Sequence, residues 1–211
     1  FKSELGISSV EAKVGLKTLH VTVGYVFVLN LAWRIVWGFT GNRYARWSAV
    51  LPGPGTRLRL RAYLASLKEG RPQQYAGHNP AARLSISVIF LVLLVMATTG
   101  LIRAGTDIYY PPFGGYAADF VAAEGVDPAV LLPYDDTFVD AAKYQQLKDF
   151  KKPFGLVHIY TSYFLMFLLV VHIGSVVIAE IREGNGLVSA MLSGSKVITG
   201  DPVDGDRPGG S

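Results

Sequence analysis

Apolar residues in this chain come in three long blocks rather than at helical or strand spacing. A bilayer-spanning helix needs about 20 mostly apolar residues. The first block runs from about 19 to 39 and contains VTVGYVFVLNLAW. The second, about 84–102, is the cleanest, with SISVIFLVLLVMATTGLI. The third, about 154–179, contains HIYTSYFLMFLLVVHIGSVVIA. A water-soluble fold would have to bury all three helices on every face. The pattern therefore predicts an all-α integral membrane bundle with three transmembrane helices in this chain.

Charge in the connecting segments orients the spans. Between the first two lie Arg43, Arg46, Arg57, Arg59, Arg61, Lys68, Arg71 and Arg83, against a single acid, Glu69. Between the second and third the segment is acidic, with Asp107, Asp119, Glu124, Asp127, Asp135, Asp136, Asp140 and Asp149. By the positive-inside rule the loop 40–83 is cytoplasmic and the insertion 104–152 lies outside. Residues 1–182 then form one membrane domain, and 183–211 a cytoplasmic tail ending in the flexible-looking DPVDGDRPGGS. Trp33, Trp37 and Trp47 fall near the inner interface, and Tyr109, Tyr110 and Tyr160 near the outer one. PPFGG and VDPAVLLP mark the insertion as a small cap of turns and short helices. This orientation puts the chain in a membrane with the cytoplasm on one side.

Composition narrows the chemistry. Half of the 211 residues are hydrophobic, and there is no cysteine. Iron–sulfur clusters, thiolate metal sites and covalent haem attachment are thereby excluded. A haem would be held through side chains such as histidine. The net charge of +4 reflects the cytoplasmic loop rather than a nucleic-acid surface.

Three of the four histidines, His20, His158 and His172, lie within spans, where ionisable residues are costly and face a bundle interior or a cofactor. His158 and His172 are 14 residues apart on one helix. At 100° and 1.5 Å per residue they point within about 40° of one another and lie about 21 Å apart along the axis. That arrangement suits two b-type haems with bis-histidine ligation, one per leaflet. His20 matches His158 in depth and supplies the second outer ligand. Gly24, one turn on, either admits a flat macrocycle to the backbone or serves ordinary helix packing. Arg103 either pairs with haem propionates or simply snorkels to the interface. His172 has no histidine at its own depth. His78, in GHNP, sits at the inner surface, where Asn79 reads as an N-cap and Pro80 as a first-turn proline. Either the chain tilts to bring His78 to His172, or a further helix preceding Phe1 carries the ligand. His78, Asn79 and Arg34 are the polar candidates for a quinone site, with a structural cap as the plain reading of GHNP.

Several stretches resemble the bacterial b-561-type cytochromes, the group that includes the cytochrome b subunits of nickel–iron hydrogenases and formate dehydrogenases. They are His20–Gly24–Tyr25, RIVWGFTGNRYARWSAVLP, YAGHNPAARLS and the pair His158 and His172. The resemblance covers about 14–192. It implies four transmembrane helices and two b haems. It implies that His20 and His158 ligate the outer haem, and that His172 ligates the inner one with a histidine from a helix this sequence lacks. It further implies electron transfer between membrane quinone and a periplasmic redox partner, whether hydrogenase-, dehydrogenase- or cytochrome c-like. The long acidic insertion is not required by that pattern. Two other function classes remain open at this stage. One is a stand-alone quinol oxidase of a small acceptor. The other is a non-redox anchor or proton transporter, which a missing Soret band would reveal.

Overall fold

A computed structural model of the chain describes residues 9–183 and 202–204. It is all-helical in its regular elements, which run α1 (Val10–Thr40), α2 (Trp47–Val50), α3 (Thr56–Lys68), α4 (Pro80–Ile108), α5 (Gly114–Val121) and α6 (Ala141–Glu183), with a 3-10 turn at Pro128–Val130 before α6. Three of these, α1, α4 and α6, are long and apolar enough to cross a membrane, and almost none of their residues are buried within the protein. Their apolar surface faces outward because lipid replaces the core that water would otherwise demand. The expected tail lies outside the described residues except at Glu183 and 202–204, as does the N-terminal stretch before Ser9.

Local chemistry explains the helix ends. Ser9 caps α1 by accepting from the Ala12 N–H at 3.1 Å. Asn79 caps α4 by accepting from the Ala82 N–H at 2.8 Å, with Pro80 as first helical residue. At its other end α4 stops where Tyr109 turns left-handed, at φ 58°, and the Tyr110 N–H reaches back to the Ala104 carbonyl at 3.1 Å. Asp140 caps α6 through the Lys143 N–H at 2.9 Å. Because that cap lies well upstream of the apolar block, α6 passes through Pro153 and takes up the last part of the insertion as helix.

The chain divides into two compact units. The first comprises α1 up to Trp33, α4 from Val92, α5, the insertion, and α6 up to Tyr163. Its water-facing cap has a small core of Ala117, Ala118, Val121, Ala122, Leu131 and Leu147. The cap is tied to α1 where the Tyr25 hydroxyl donates to the Pro111 carbonyl at 2.5 Å. Two hydrogen bonds from Thr137 pin the exposed Asp135 carboxylate in a cap turn and lower its pKa.

The second unit comprises α1 from Arg34, α2, α3, α4 up to Leu91, and α6 from Phe164, with residues 202–204. Its loop is pinned through Trp47, whose indole N–H donates to the Ile35 carbonyl at 3.2 Å. Gly38 leaves room for that ring, since a Cβ at 38 would collide with it. Arg34 lies over the Trp47 ring at 5.0 Å.

Candidate haem site and its surroundings

In the first unit the rings of His20 on α1 and His158 on α6 face each other with centroids 6.2 Å apart and planes at 86°. They border a cavity of about 220 Å³ lined also by Gly24, Tyr25, Met96 and Gly100. Thr99 on α4 lies 2.9 Å from Nδ1 of His158. The Thr99 hydroxyl already donates to the Val95 carbonyl at 2.7 Å. Its oxygen is thus placed to accept from Nδ1–H, the tautomer that would leave the Nε2 lone pair for a metal. Holding one imidazole nitrogen through its N–H is how metal-binding histidines are oriented. Gly100 lets this happen. A Cβ there would stand 3.2 Å from Cε1 of His158.

A second cavity of about 160 Å³ is also lined by His20, Gly100 and His158, together with Lys17, Arg103 and Asp107. Its polar edge is a cluster built on one carboxylate. Asp107, with only 5% of its side chain exposed, receives Lys17 at 2.6 Å, Arg103 at 2.5 Å and Lys151 at 3.0 Å. Three cations against one anion leave an excess of positive charge beside the histidines. Gly155 makes space for the Arg103 guanidinium, which any side chain at 155 would strike.

In the second unit Ser85 Oγ lies 3.1 Å from Nδ1 of His172. Ser85 and Thr99 on α4 are separated by the same 14 residues as His172 and His158 on α6. Each α6 histidine thus has an α4 hydroxyl at its Nδ1. Asn79 is engaged at both ends of its amide, through the cap and by donating to the Tyr63 hydroxyl at 2.9 Å. Arg34 donates to the Ala45 carbonyl at 3.2 Å, while its buried Nη1 has no hydrogen-bond partner among the described residues. His78 lines a separate polar cavity that neither His172 nor Arg34 borders.

Comparison with known sequences decides what this arrangement belongs to. Residues 2–194 match the prokaryotic cytochrome b561 family. The chain belongs to that family. It is 35% identical over 91 residues to the probable Ni/Fe-hydrogenase 1 B-type cytochrome subunit of Escherichia coli (strain K12), covering 40% of this chain and 38% of that protein. It is 30% identical over 103 residues to the corresponding probable subunit of Cupriavidus necator, covering 43% and 39%. With that of Rhodobacter capsulatus the match extends over 195 residues at 23% identity, covering 90% of this chain and 65% of the relative. The matched part thus spans well under half the length of the first two. No solved structure matches.

Membership in the b561 family implies a b-type haem, and the first unit fits one. His20 and His158, facing each other 6.2 Å apart and both bordering the first cavity, are the residues that would hold it. The apolar cavity wall and glycine-lined approach suit a flat macrocycle, and the cationic edge suits its carboxylates.

Sequence reasoning named His20, His158, Gly24 and Arg103, and the structure brings these to the two adjoining cavities. It missed Thr99, Ser85, Gly100, Asp107 and Gly155. The matched spacing of Ser85 and Thr99 with the histidines was a readable signal, whereas Asp107 read as one of many insertion acids. Replacing Thr99 by Val keeps the volume but removes the acceptor. The expected result is retained haem with a wider spread of midpoint potential and altered low-spin g-values, because the His158 ring is no longer held at one orientation. Redox titration and electron paramagnetic resonance would read it; unchanged g-values would deny Thr99 that role.

Proposed function

We propose that this b561-family chain is the electron-transfer subunit of a membrane oxidoreductase, carrying electrons between a periplasmic redox partner and membrane quinone through two b haems. The observation that carries the reading is the His20–His158 pair, spaced as two axial ligands and backed by Thr99. A bound haem would supply reversible one-electron chemistry. The chain's own part is to fix the ligand rings, exclude water with the apolar cavity wall, and balance carboxylates with Lys17, Arg103 and Lys151. His172, poised by Ser85, is the ligand proposed for the second haem. Its other ligand is proposed to come from a helix before Phe1, as the family resemblance implies. Arg34, with a buried donor still unpaired, and His78 remain the residues proposed to meet quinone, and Asn79 sets the loop that carries His78.

The relatives' names favour a hydrogenase as the catalytic partner. Purified protein should show the reduced-minus-oxidised spectrum of low-spin bis-histidine haem b. Absence of haem in a pyridine haemochrome assay would end the reading.

Residence in the bacterial inner membrane with the insertion outside is proposed from the charge asymmetry. Single cysteines at Glu124 and Lys68, both exposed, test it. An impermeant thiol reagent applied to intact spheroplasts should label position 124 and spare 68. The opposite pattern inverts the topology.

A further inference from the structure

One side of the cap in the first unit is not built for water. An open groove of about 560 Å³ lies between α4, α5 and α6, and the electron-transfer reading does not use it. Ile102 and Thr106 line it from α4, Phe113, Tyr116 and Phe120 from α5 and the residue that caps it, and Phe150 from α6. Its wall is almost wholly apolar. Tyr116 is 77% exposed, Phe150 55%, and Phe113 and Phe120 43% each. A contiguous exposed apolar patch of this kind marks a surface that meets something other than water.

The sequence of α5 sorts its residues by face. At about 100° per residue Gly114, Ala117, Ala118 and Val121 fall on one side, and all four are buried. Tyr116 and Phe120, one turn apart, fall on one flank and line the groove. Asp119 falls on the other flank and lines a different cavity. On α6 the grading runs along the axis instead. Gln146, Phe150 and Phe154 follow one another at intervals of one turn on a single face. Gln146 and Phe150 line the groove, and the Phe150 and Phe154 rings are 5.1 Å apart. Phe154 in turn opens the apolar block of α6. The groove thus has a polar end at Gln146 and passes ring by ring into the surface of a membrane-crossing helix.

We propose that the cap dips into the membrane along this groove, which seats acyl chains of the adjoining lipid leaflet, with α5 lying in the interface. The occupant follows from continuity. A patch for a protein partner is typically closed off by a polar rim. This one runs through Ile102 on α4 and Phe154 on α6 into the surface of two helices long and apolar enough to cross a membrane. The level follows from the residue types. Rings with a polar tip, such as Tyr116, favour the boundary between headgroups and acyl chains. A helix with an aromatic flank and an acidic one suits the plane of that boundary. The inference rests on α4 and α6 crossing a membrane and does not depend on the haem reading.

The chain has no cysteine, so a single introduced thiol carries a single nitroxide label. Tyr116→Cys, Phe120→Cys, Gln146→Cys and Phe150→Cys all fall at exposed positions. Each is labelled in the full chain and reconstituted into vesicles of phosphatidylcholine and phosphatidylglycerol. Power-saturation electron paramagnetic resonance then compares relaxation by oxygen, which concentrates in hydrocarbon, with relaxation by a nickel chelate, which stays in water. Glu124→Cys, exposed elsewhere on the cap, sets the water reference, and Phe167→Cys, exposed on the apolar block of α6, sets the lipid one. The oxygen-to-nickel ratio at 116, 120 and 150 should exceed that at 124 severalfold and approach that at 167, with 146 in between. A ratio at 116, 120 and 150 equal to that at 124 would overturn the proposal, because the groove would then face water. Shielding of these positions from both agents would overturn it too, and spin–spin broadening would then identify a second copy of the chain as the occupant.

Discussion

Replacing His20 or His158 by Ala is expected to remove one and the same haem, while His172→Ala removes a different one. His20 and His158 face each other with ring centroids 6.2 Å apart and would together hold one haem. His172, 14 residues further along α6, has its own hydroxyl partner in the other unit. An axial imidazole is one of two bonds fixing a non-covalent cofactor. Losing a mere outer-shell partner costs about 10–100-fold in metal affinity, so losing the ligand itself should cost more than about 100-fold. The His20→Ala and His158→Ala proteins should therefore leave identical residual spectra and midpoint potentials, and His172→Ala the complementary ones. His78→Ala should keep both haems, because His78 lines a cavity that His172 does not border. Loss of the inner haem in His78→Ala would make His78 the ligand and remove the need for a preceding helix. Depletion of the same haem by His20→Ala and His172→Ala would refute the pairing.

The second large effect is expected at Asp107. Its nearly buried carboxylate is the common anion for Lys17, Arg103 and Lys151. Asp107→Asn keeps the shape but leaves three cations crowded without their counter-charge. Breaking a buried ion pair from one side costs about 3–5 kcal/mol. The cations here retain 20–32% side-chain exposure, which screens their repulsion and brings the expected loss nearer 2–3 kcal/mol. Haem changes this. Lys17, Arg103 and Lys151 would then have the cofactor's carboxylates to balance, so the haem-loaded protein should lose distinctly less stability than the haem-free one. Unfolding of both forms in mixed detergent micelles would measure it. Equal losses would mean that the cluster serves only the fold. Lys17→Met should have a smaller effect in either form, since two cations remain on the carboxylate.

The membrane class and the three helices long and apolar enough to cross were readable from the sequence because each rests on a one-dimensional quantity. Block length against bilayer thickness identifies α1, α4 and α6. The Asn79–Pro80 cap was readable because capping is local, acting over three residues. Helix periodicity alone put His158 and His172 on one face. The reading of 104–152 as insertion was coarser, since the cap at Asp140 starts α6 well before the apolar block begins.

What only the tertiary structure decided are the relations between distant segments. That His20 faces His158, that Thr99 lies at the Nδ1 of that histidine and that Ser85 lies at the Nδ1 of His172 depend on the register of α6 against α1 and α4, which no helix encodes alone. Asp107 stood among eight acids of one segment until three cations from α1, α4 and α6 converged on it. Asp204 looked like part of a polar tail until its carboxylate was found on the Ala76 and Gly77 amides. Spans and caps follow from the free energy of a residue in its immediate surroundings. Ion clusters and ligand geometry follow from distance, because charge interactions and hydrogen bonds fall away within a few ångströms, and only the folded chain sets those separations.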